Sequence, residues 1–365
     1  MNWIQNAIKR LSAVGRYRIR RIIIISFAWT LINIFLYFRN VSNGDDIDYP
    51  YHELGFSAIL LRSVIVLVIS FFMSWLLLRE VKIVVRKRTI LINWMIKVIF
   101  LMLIALAASV IIFFLHFLII KEVSFGVTMY QFGNYYLYTN FLTDILLFWF
   151  VMLLSAQIMV EIDQKYSPGV FWEIMIGKYL VPRNEKRIIM FLDLKDSTPI
   201  AEQLGHEKYF LFIKDFIHYV SIAVLDNRGM IYQYVGDEVV VTWPYKKSNI
   251  LKSVQAVVES RKAMQRKSDY FRRTYGIIPE FRAGLHAGNV TIGEIGVIKK
   301  DIAISGEAMN TAARIRSACN ELNQKFVVSK EYFDTGILKS WQGESLGEVY
   351  LKGKDESIEL YALKI

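Results

Sequence analysis

Cysteine is almost missing from this sequence. The single Cys319 among 365 residues excludes an intrachain disulfide. Histidine is scarce as well, five in all, and no zinc-type spacing joins them. No internal repeat or low-complexity tract occurs, which excludes repeat arrays. Charge is thin: 21% of residues are charged against 54% hydrophobic, and the mean hydropathy of +0.34 is high for a soluble enzyme. Acidic side chains are absent from the first 21 positions, where Lys9, Arg10, Arg16, Arg18, Arg20 and Arg21 lie.

What is abundant is apolar sequence in long runs. Crossing a bilayer takes about 20 apolar residues, with a lower limit of roughly 17. Ile22–Phe38, Ser57–Leu78, Trp94–Ile120 and Tyr138–Val160 all qualify. The first has no small-residue cleavage site and reads as a retained helix. Core helices of a globular protein would not give four such runs in succession. The loop after the first run carries Asp45, Asp46, Asp48 and Glu53 against Arg39. The next connection is basic, with Arg79, Lys82, Arg86, Lys87 and Arg88, and the last holds only Lys121 and Glu122. Basic segments stay cytoplasmic. The expectation is a four-pass integral protein of the inner or plasma membrane, bathed in lipid, with both termini cytoplasmic. The net charge of +11 is partly this topology signal and calls for no nucleic-acid partner. Within the runs, Arg62, Lys97 and Asp144 lie near helix ends, where they can snorkel or pair, and the deeper His116 suits an interhelical hydrogen bond.

The domains expected are a basic N-terminus (1–21), a four-helix membrane domain (22–160), a linker (161–186) and a soluble domain (187–365). In the linker, Pro168-Gly169 breaks the outgoing helix and a short amphipathic piece, Phe171–Tyr179, precedes Pro182. The soluble part alternates strand and helix patterns. Strands are expected at Ile188–Leu192, Met230–Tyr234, Val239–Trp243, Phe326–Val328, Glu348–Leu351 and Ile358–Ala362, with a hairpin around Phe281–Ile295. Helices are expected at Lys208–Leu225, Ile250–Tyr275 and Glu307–Leu322. This order fits an α+β domain, helices against a mixed sheet.

The stretch "FLDLKDST" ends an apolar strand in Asp193, and Asp237 sits in a hairpin turn, "VGDE". In a palm-like sheet the first strand lies beside such a hairpin, so both carboxylates emerge at one edge. Two carboxylates with waters and phosphate oxygens suit Mg²⁺ or Mn²⁺, and a pair of such ions can activate a hydroxyl and neutralise a leaving pyrophosphate. The amides of Leu194 to Thr198, at a helix start, would complement phosphate charge. Taken singly, either aspartate is a cap or a turn residue, and Asp196 and Ser197 read as caps. In "SGEAMNTAARIRSA", Asn310 and Arg314 are four residues apart on one helix face, and Ala312 and Ala313 permit close packing. An amide with a guanidinium can orient a ribose and stabilise charge on a phosphate in transfer.

These two segments, with "YQYVGDEVVVTW", "FRAGLHAGNVTIGEIG" and "YLKGK", occur in an order that resembles the catalytic domain of class III nucleotidyl cyclases, over roughly 187–365. The resemblance implies conversion of a nucleoside triphosphate to its 3′,5′-cyclic monophosphate and pyrophosphate. It assigns metal binding, two Mg²⁺ or Mn²⁺ per site, to Asp193, Asp237 and the backbone carbonyl of Leu194. Asn310 would hold the ribose and Arg314 would stabilise the transition state. Lys352 and Lys325, with Ser197 and Thr198, would bind phosphates. Family sites form between two catalytic domains, so a homodimer is implied, with metal residues from one chain and Asn310, Arg314 and Lys352 from the other. The membrane part is similar to that of some bacterial membrane-bound cyclases in architecture alone.

Base choice departs from the family pattern. Adenylyl enzymes usually carry lysine at the place of Gln233 and aspartate or threonine at that of Ala303. Guanylyl enzymes carry glutamate and cysteine. Gln233 offers both donor and acceptor and discriminates poorly, and Asp301 is the candidate substitute for the missing acid. ATP is preferred on family frequency, leaving a guanylyl or mixed-specificity cyclase open. A diguanylate cyclase shares the acidic turn but not the Asn310/Arg314 helix or "YLKGK". A receptor or scaffold with an inactive cyclase domain remains the reading from another class.

Overall fold

A computed structural model describes residues 13–42, 56–78, 90–120, 122–138, 141–164, 170–298, 300–335, 343–350 and 357–364. The chain forms two compact units, one spanning Arg16–Lys165 and the other comprising Met1–Gly15 and Tyr166–Ile365.

The first unit is helical: α1 (Ala13–Ser42), α2 (Phe56–Leu78), α3 (Ile90–Leu115) running into a wider π turn (His116–Ile120), α4 (Phe125–Tyr138) and α5 (Phe141–Gln164). Its polarity is inverted relative to a water-soluble bundle. Ser70, Ser74, Thr128 and Gln157 are buried, while Leu31, Phe35, Val68, Leu103 and Leu147 are each more than 60% exposed. Ser26 and Thr30 close their hydroxyl donors internally, Ser26 Oγ to the Ile22 carbonyl at 2.6 Å and to Ser74 Oγ at 3.3 Å, and Thr30 Oγ1 to the Ser26 carbonyl at 2.8 Å. The Trp29 and Trp149 rings meet edge to face, 5.9 Å apart, beside Met73, Leu101 and Leu153.

Two expectations change here. A fifth helix, α4, occupies a stretch read as a connection. Of the four expected spans, only Trp94–Ile119 is both long and apolar enough to cross a membrane among the described residues, Ser63–Leu78 and Leu146–Ile162 being shorter apolar helices. His116 is buried with its ring edge against Phe117. The expectations for Arg62, Asp144 and the two charged loops fall largely outside the described residues.

The second unit begins with α6 (Val170–Met175), shorter than the expected amphipathic piece. The rest follows in the order β1 (Arg183–Leu194), α7 (Ser197–Leu204), α8 (His206–Asp226), β2 (Met230–Val235), β3 (Glu238–Pro244), α9 (Lys247–Arg266), α10 (Ser268–Tyr275), β4 (Phe281–Ile295), β5 (Asp301–Ser305), α11 (Glu307–Glu321), β6 (Phe326–Ser329), α12 (Lys330–Phe333), β7 (Gly343–Val349) and β8 (Ile358–Leu363). The sheet order is β2-β3-β1-β4-β6-β8-β7, with β5 paired to β4. Among the described residues β4 and β6 pair in parallel and the other strand pairs are antiparallel. The expected hairpin at 281–295 is instead one long strand, whose return is β5. The expected helix at 250–275 breaks at Lys267 into α9 and α10.

Strand alternation sorts the faces. Ile188, Met190, Leu192 and Leu194 of β1, with Phe281, Ala283 and Leu285 of β4, point into the core under α8, α9 and α10. The opposite face of the sheet takes α11. There Gly284 and Gly288 let the helix lie directly on β4: a Cβ on Gly284 would come within 2.4 Å of the Arg316 amide nitrogen, and one on Gly288 within 2.6 Å of Ala308 Cβ. Four strand residues and eight helix residues both cover about 12–13 Å, so α11 runs flat and antiparallel along β4. The chain entering β1 is docked on the same strand, with the Tyr179 side chain buried and its carbonyl accepting from the Glu294 amide at 3.0 Å.

Candidate active site

The site lies where β1 ends beside the β2–β3 turn. The turn has two residues, Gly236 and Asp237, and Gly236 takes φ 63°, a conformation that suits glycine. In the β1–β3 register Asp193 faces Glu238, which brings Asp237 to the end of β1. The Asp193 and Asp237 carboxylates are within hydrogen-bonding reach. Burial pushes the Asp193 carboxyl up to about 6; the Arg316 charge opposes that shift, and the charges of Asp237 and Glu238 add to it.

Asp237 Oδ2 is buried without a hydrogen-bond partner. Two acids held this close, one with a desolvated lone oxygen, fit a hard divalent cation that would take both. Among the described residues no three His, Cys, Asp or Glu side chains converge as a ligand set. Glu238 is drawn off to Arg316, which holds it through Nε at 2.8 Å and Nη2 at 2.7 Å while Nη1 lies 3.2 Å from Asp193 Oδ2. The Leu194 side chain is in the core, so only its backbone can meet a cation.

The phosphate candidates surround this edge. Asp196 sits at the N-cap of α7 in the left-handed region, φ 58°, and makes no side-chain capping bond. Ser197 is the first residue of the helix. The expectation that Asp196 and Ser197 cap through their side chains is therefore corrected: left-handed backbone turns the Asp196 carboxylate toward Lys195 Nζ, 3.6 Å away. The Lys195 amide is also spoken for, donating to the Glu280 carbonyl at 2.8 Å. The nearby Tyr209 hydroxyl is pushed up by burial and by the charge of Asp237, an effect that Ser197 opposes. Thr198 is exposed. Lys325 reaches Glu280 at 3.4 Å, and Lys195 reaches the same carboxylate at 3.5 Å. Lys352 lies outside the described residues.

Asn310 and Arg314 share one face of α11, as their spacing requires. Glu307 ties them there, its carboxylate accepting from Asn310 Nδ2 at 3.4 Å and lying 3.8 Å from Arg314 Nη1. The guanidinium that meets Asp193 in the same chain belongs instead to Arg316, about 200° further round the helix than Arg314. Ala312 is fully buried against the sheet.

Of the base candidates, Gln233 is exposed on β2 after a bulge at Tyr232, Ala303 faces Gly293 across β4–β5, and Asp301 accepts from the Ile302 amide at 2.9 Å. The two strands are linked by the Tyr232 hydroxyl, which accepts from the Ile304 amide at 3.2 Å. Glu238, Arg316 and Tyr209 were not singled out from sequence. For Glu238 a signal existed, a second acid adjoining Asp237 in the turn. For the other two it did not, because their role depends on which residues α11 and α8 place over the strand ends.

Residues 181–365 match the family described as "Adenylate and Guanylate cyclase catalytic domain". The chain is 30% identical over 211 residues to adenylate cyclase 2 of Rhizobium meliloti (strain 1021), covering 56% of this chain and 57% of that one. It is 26% identical over 190 residues to the adenylate cyclase of Anabaena cylindrica, covering 48% and 36%. It thus spans little more than half the length of the first of these curated relatives and about a third of the second. Among solved structures, a bacterial light-regulated adenylyl cyclase aligns with TM-score 0.53 at 17% identity, over 60% of this chain and 65% of that one, a likeness of fold.

Proposed function

Because the chain belongs to the adenylate and guanylate cyclase catalytic-domain family, we propose that it is a membrane-bound adenylate cyclase, converting ATP to 3′,5′-cyclic AMP and pyrophosphate. One observation carries this reading: two carboxylates in reach of each other at adjoining strand ends, one with a buried, unpartnered oxygen. Asp193 and Asp237 would hold two Mg²⁺ or Mn²⁺ ions, with the Leu194 carbonyl as a further donor. The ions, when bound, supply charge to lower the barrier to attack by the ribose 3′-hydroxyl and departure of pyrophosphate. Lys325 and the α7 start would hold the phosphate end, together with Lys352. The preference for ATP is supported by relatives that are themselves adenylate cyclases, and the exposed Gln233 amide is the part of the pocket that leaves GTP to be tested.

The site is shared between two copies of the chain on this reading. Asn310 and Arg314 face away from the Asp193 oxygen that Arg316 holds, so a second chain is needed to bring a ribose-binding amide and a phosphate-stabilising guanidinium to the metal carboxylates. A closed two-fold dimer then has two equivalent sites. The helical unit is the membrane anchor. Helix α3 carries Trp94–Ile119, the span both long and apolar enough to cross a hydrocarbon core of about 30 Å among the described residues. Helices α1, α2 and α5, of 30, 23 and 24 residues, have the length at about 1.5 Å per residue and are proposed to cross beside it. Helix α4, with 14 residues, is about 21 Å long and does not cross. Both termini are cytoplasmic by the basic asymmetry.

Product analysis of the purified chain given ATP or GTP with Mn²⁺ or Mg²⁺ tests the activity. Turnover of GTP equal to or above that of ATP overturns the substrate, and turnover in excess chelator overturns the metal. Co-expression of Asp193→Ala and Arg314→Ala, each nearly inactive alone, tests the shared site. Random pairing gives about half mixed dimers, each with one intact site, so about a quarter of wild-type activity returns. Mixed dimers shown by differential tags but inactive would place both residues in one chain's site.

A further inference from the structure

Three charged residues form a row across the sheet on the α11 side. Glu238 on β3 faces Asp193 on β1, which in turn faces Arg282 on β4. Arg282 is spent elsewhere, donating to the Asn320 side chain. Arg316 instead lies over the acidic end of the row, and its placement is set by backbone. The helix rests on Gly284 at this residue, where a Cβ would sit 2.4 Å from the Arg316 amide nitrogen and 2.8 Å from its Cα. The guanidinium is thereby held with two nitrogens on Glu238 and the third on Asp193 Oδ2. All three side chains are largely withdrawn from solvent, 22%, 14% and 20% exposed for Arg316, Glu238 and Asp193.

We infer that Arg316 is a positioning residue for the metal-binding carboxylate. It is a resident cation, parked on Glu238, that occupies one oxygen of Asp193 and yields it when a divalent ion binds. The inference rests on the reading that Asp193 and Asp237 hold the ion. Glu238 is then a parking site rather than a metal ligand. A fork-shaped donor suits this arrangement because it can release Asp193 through Nη1 while Nε and Nη2 keep Glu238. The metal affinity of the chain without nucleotide is set by this competition.

The test is Mn²⁺ binding to the detergent-solubilised full chain without nucleotide, the bound ion counted by electron paramagnetic resonance. Arg316→Gln frees Asp193 and is expected to tighten binding about tenfold, the order of a charge-assisted contact. Glu238→Gln removes the parking site, leaves the guanidinium to Asp193 alone, and is expected to weaken binding by a similar factor. Arg282→Gln removes the same charge from the adjoining strand without touching Asp193, and stays within about twofold of wild type. Arg316→Gln binding no tighter than wild type overturns the inference, since an ion pair with a merely structural role leaves both variants weaker. Arg282→Gln tightening as much as Arg316→Gln overturns it too, in favour of bulk charge. Should Arg316→Gln fail to fold by circular dichroism, Arg316→Lys takes its place. Its single ammonium cannot hold Glu238 and Asp193 together as the fork does, so it too should bind Mn²⁺ more tightly than wild type, and binding no tighter overturns the inference. Wild type and Asp237→Asn both failing to bind Mn²⁺ would instead bring down the underlying reading of the carboxylate pair.

Discussion

Replacing Gly284 by alanine adds one methyl group at the closest approach of α11 to the sheet. The new Cβ would lie 2.4 Å from the Arg316 nitrogen, 2.8 Å from its Cα and 3.0 Å from the Ile315 carbonyl carbon. Ordinary contact begins near 3.4 Å, so the helix must retreat by about 1 Å (3.4 − 2.4) along its middle turn. Nothing flexible can absorb the overlap, because every atom met is backbone. Overpacking of this kind costs about 1–3 kcal/mol. For a domain of about 180 residues each kcal/mol lowers the melting temperature by about 2–4 °C, so a fall of about 2–12 °C is expected. The same retreat would stretch the 3.2 Å contact between Arg316 and Asp193 beyond hydrogen-bonding range. Gly343→Ala is the comparison: its Cβ would meet the Phe333 ring at the same 2.4 Å, but that is the far end of a side chain, stacked on Tyr361, and not backbone. Calorimetry of the full chain reads both. A Gly284→Ala melt unchanged from wild type, or lowered less than that of Gly343→Ala, would refute the close-approach argument.

Asp237→Asn should lower cyclase activity by about a hundredfold or more, since several kcal/mol of charge stabilisation are at stake, while the melting temperature does not fall. It removes a charge that crowds Asp193 and satisfies no hydrogen bond through Oδ2; a marked loss of stability would show the carboxylate to be structural. Asp215 accepts from Tyr270 at 2.6 Å and Tyr275 at 2.7 Å, and Asp215→Asn should cost about 1.5–3 kcal/mol by chemical denaturation. Burial, then that hydrogen bond and the Asp215 charge, raise the Tyr275 hydroxyl well above 10.0. The folded state therefore binds this proton more tightly than the unfolded one, and its share of stability is complete below pH 10.0 and lost as pH rises through the raised value. Tyr275→Phe should flatten the alkaline decline in stability, and an unaltered decline counts against the link. Single cysteines in the loops at 39–56 and 79–90, with Cys319 replaced, should react with an impermeant reagent on intact cells in the first loop only; the reverse pattern refutes the topology.

Much of the catalytic unit was legible locally. An apolar run ending in Asp193 and a two-residue turn holding Asp237 declare strand ends by alternation and turn chemistry, which need no partner to be read. The four-residue spacing of Asn310 and Arg314 likewise settles that they share a face, since helical periodicity is a property of the segment alone. The class III resemblance drawn from five ordered motifs holds, and with it the α+β fold of that half. Apolar runs were read less well. Run length does not say where a helix breaks, so α4 and the division of α9 from α10 at Lys267 went unseen.

Tertiary structure decided which charges meet. Glu238 faces Asp193 only because β3 pairs with β1 in one register, and that register belongs to two strands 45 residues apart at this point (238 − 193). Arg316, rather than Arg314, reaches Asp193 because Gly284 lets α11 settle on β4 at one rotation about its axis. Sequence could place both arginines on the helix, but the phase of a helix against a sheet is fixed by packing, and packing is not local. Tyr209 reaches the site for the same reason, carried there by a helix whose seat is the hydrophobic core.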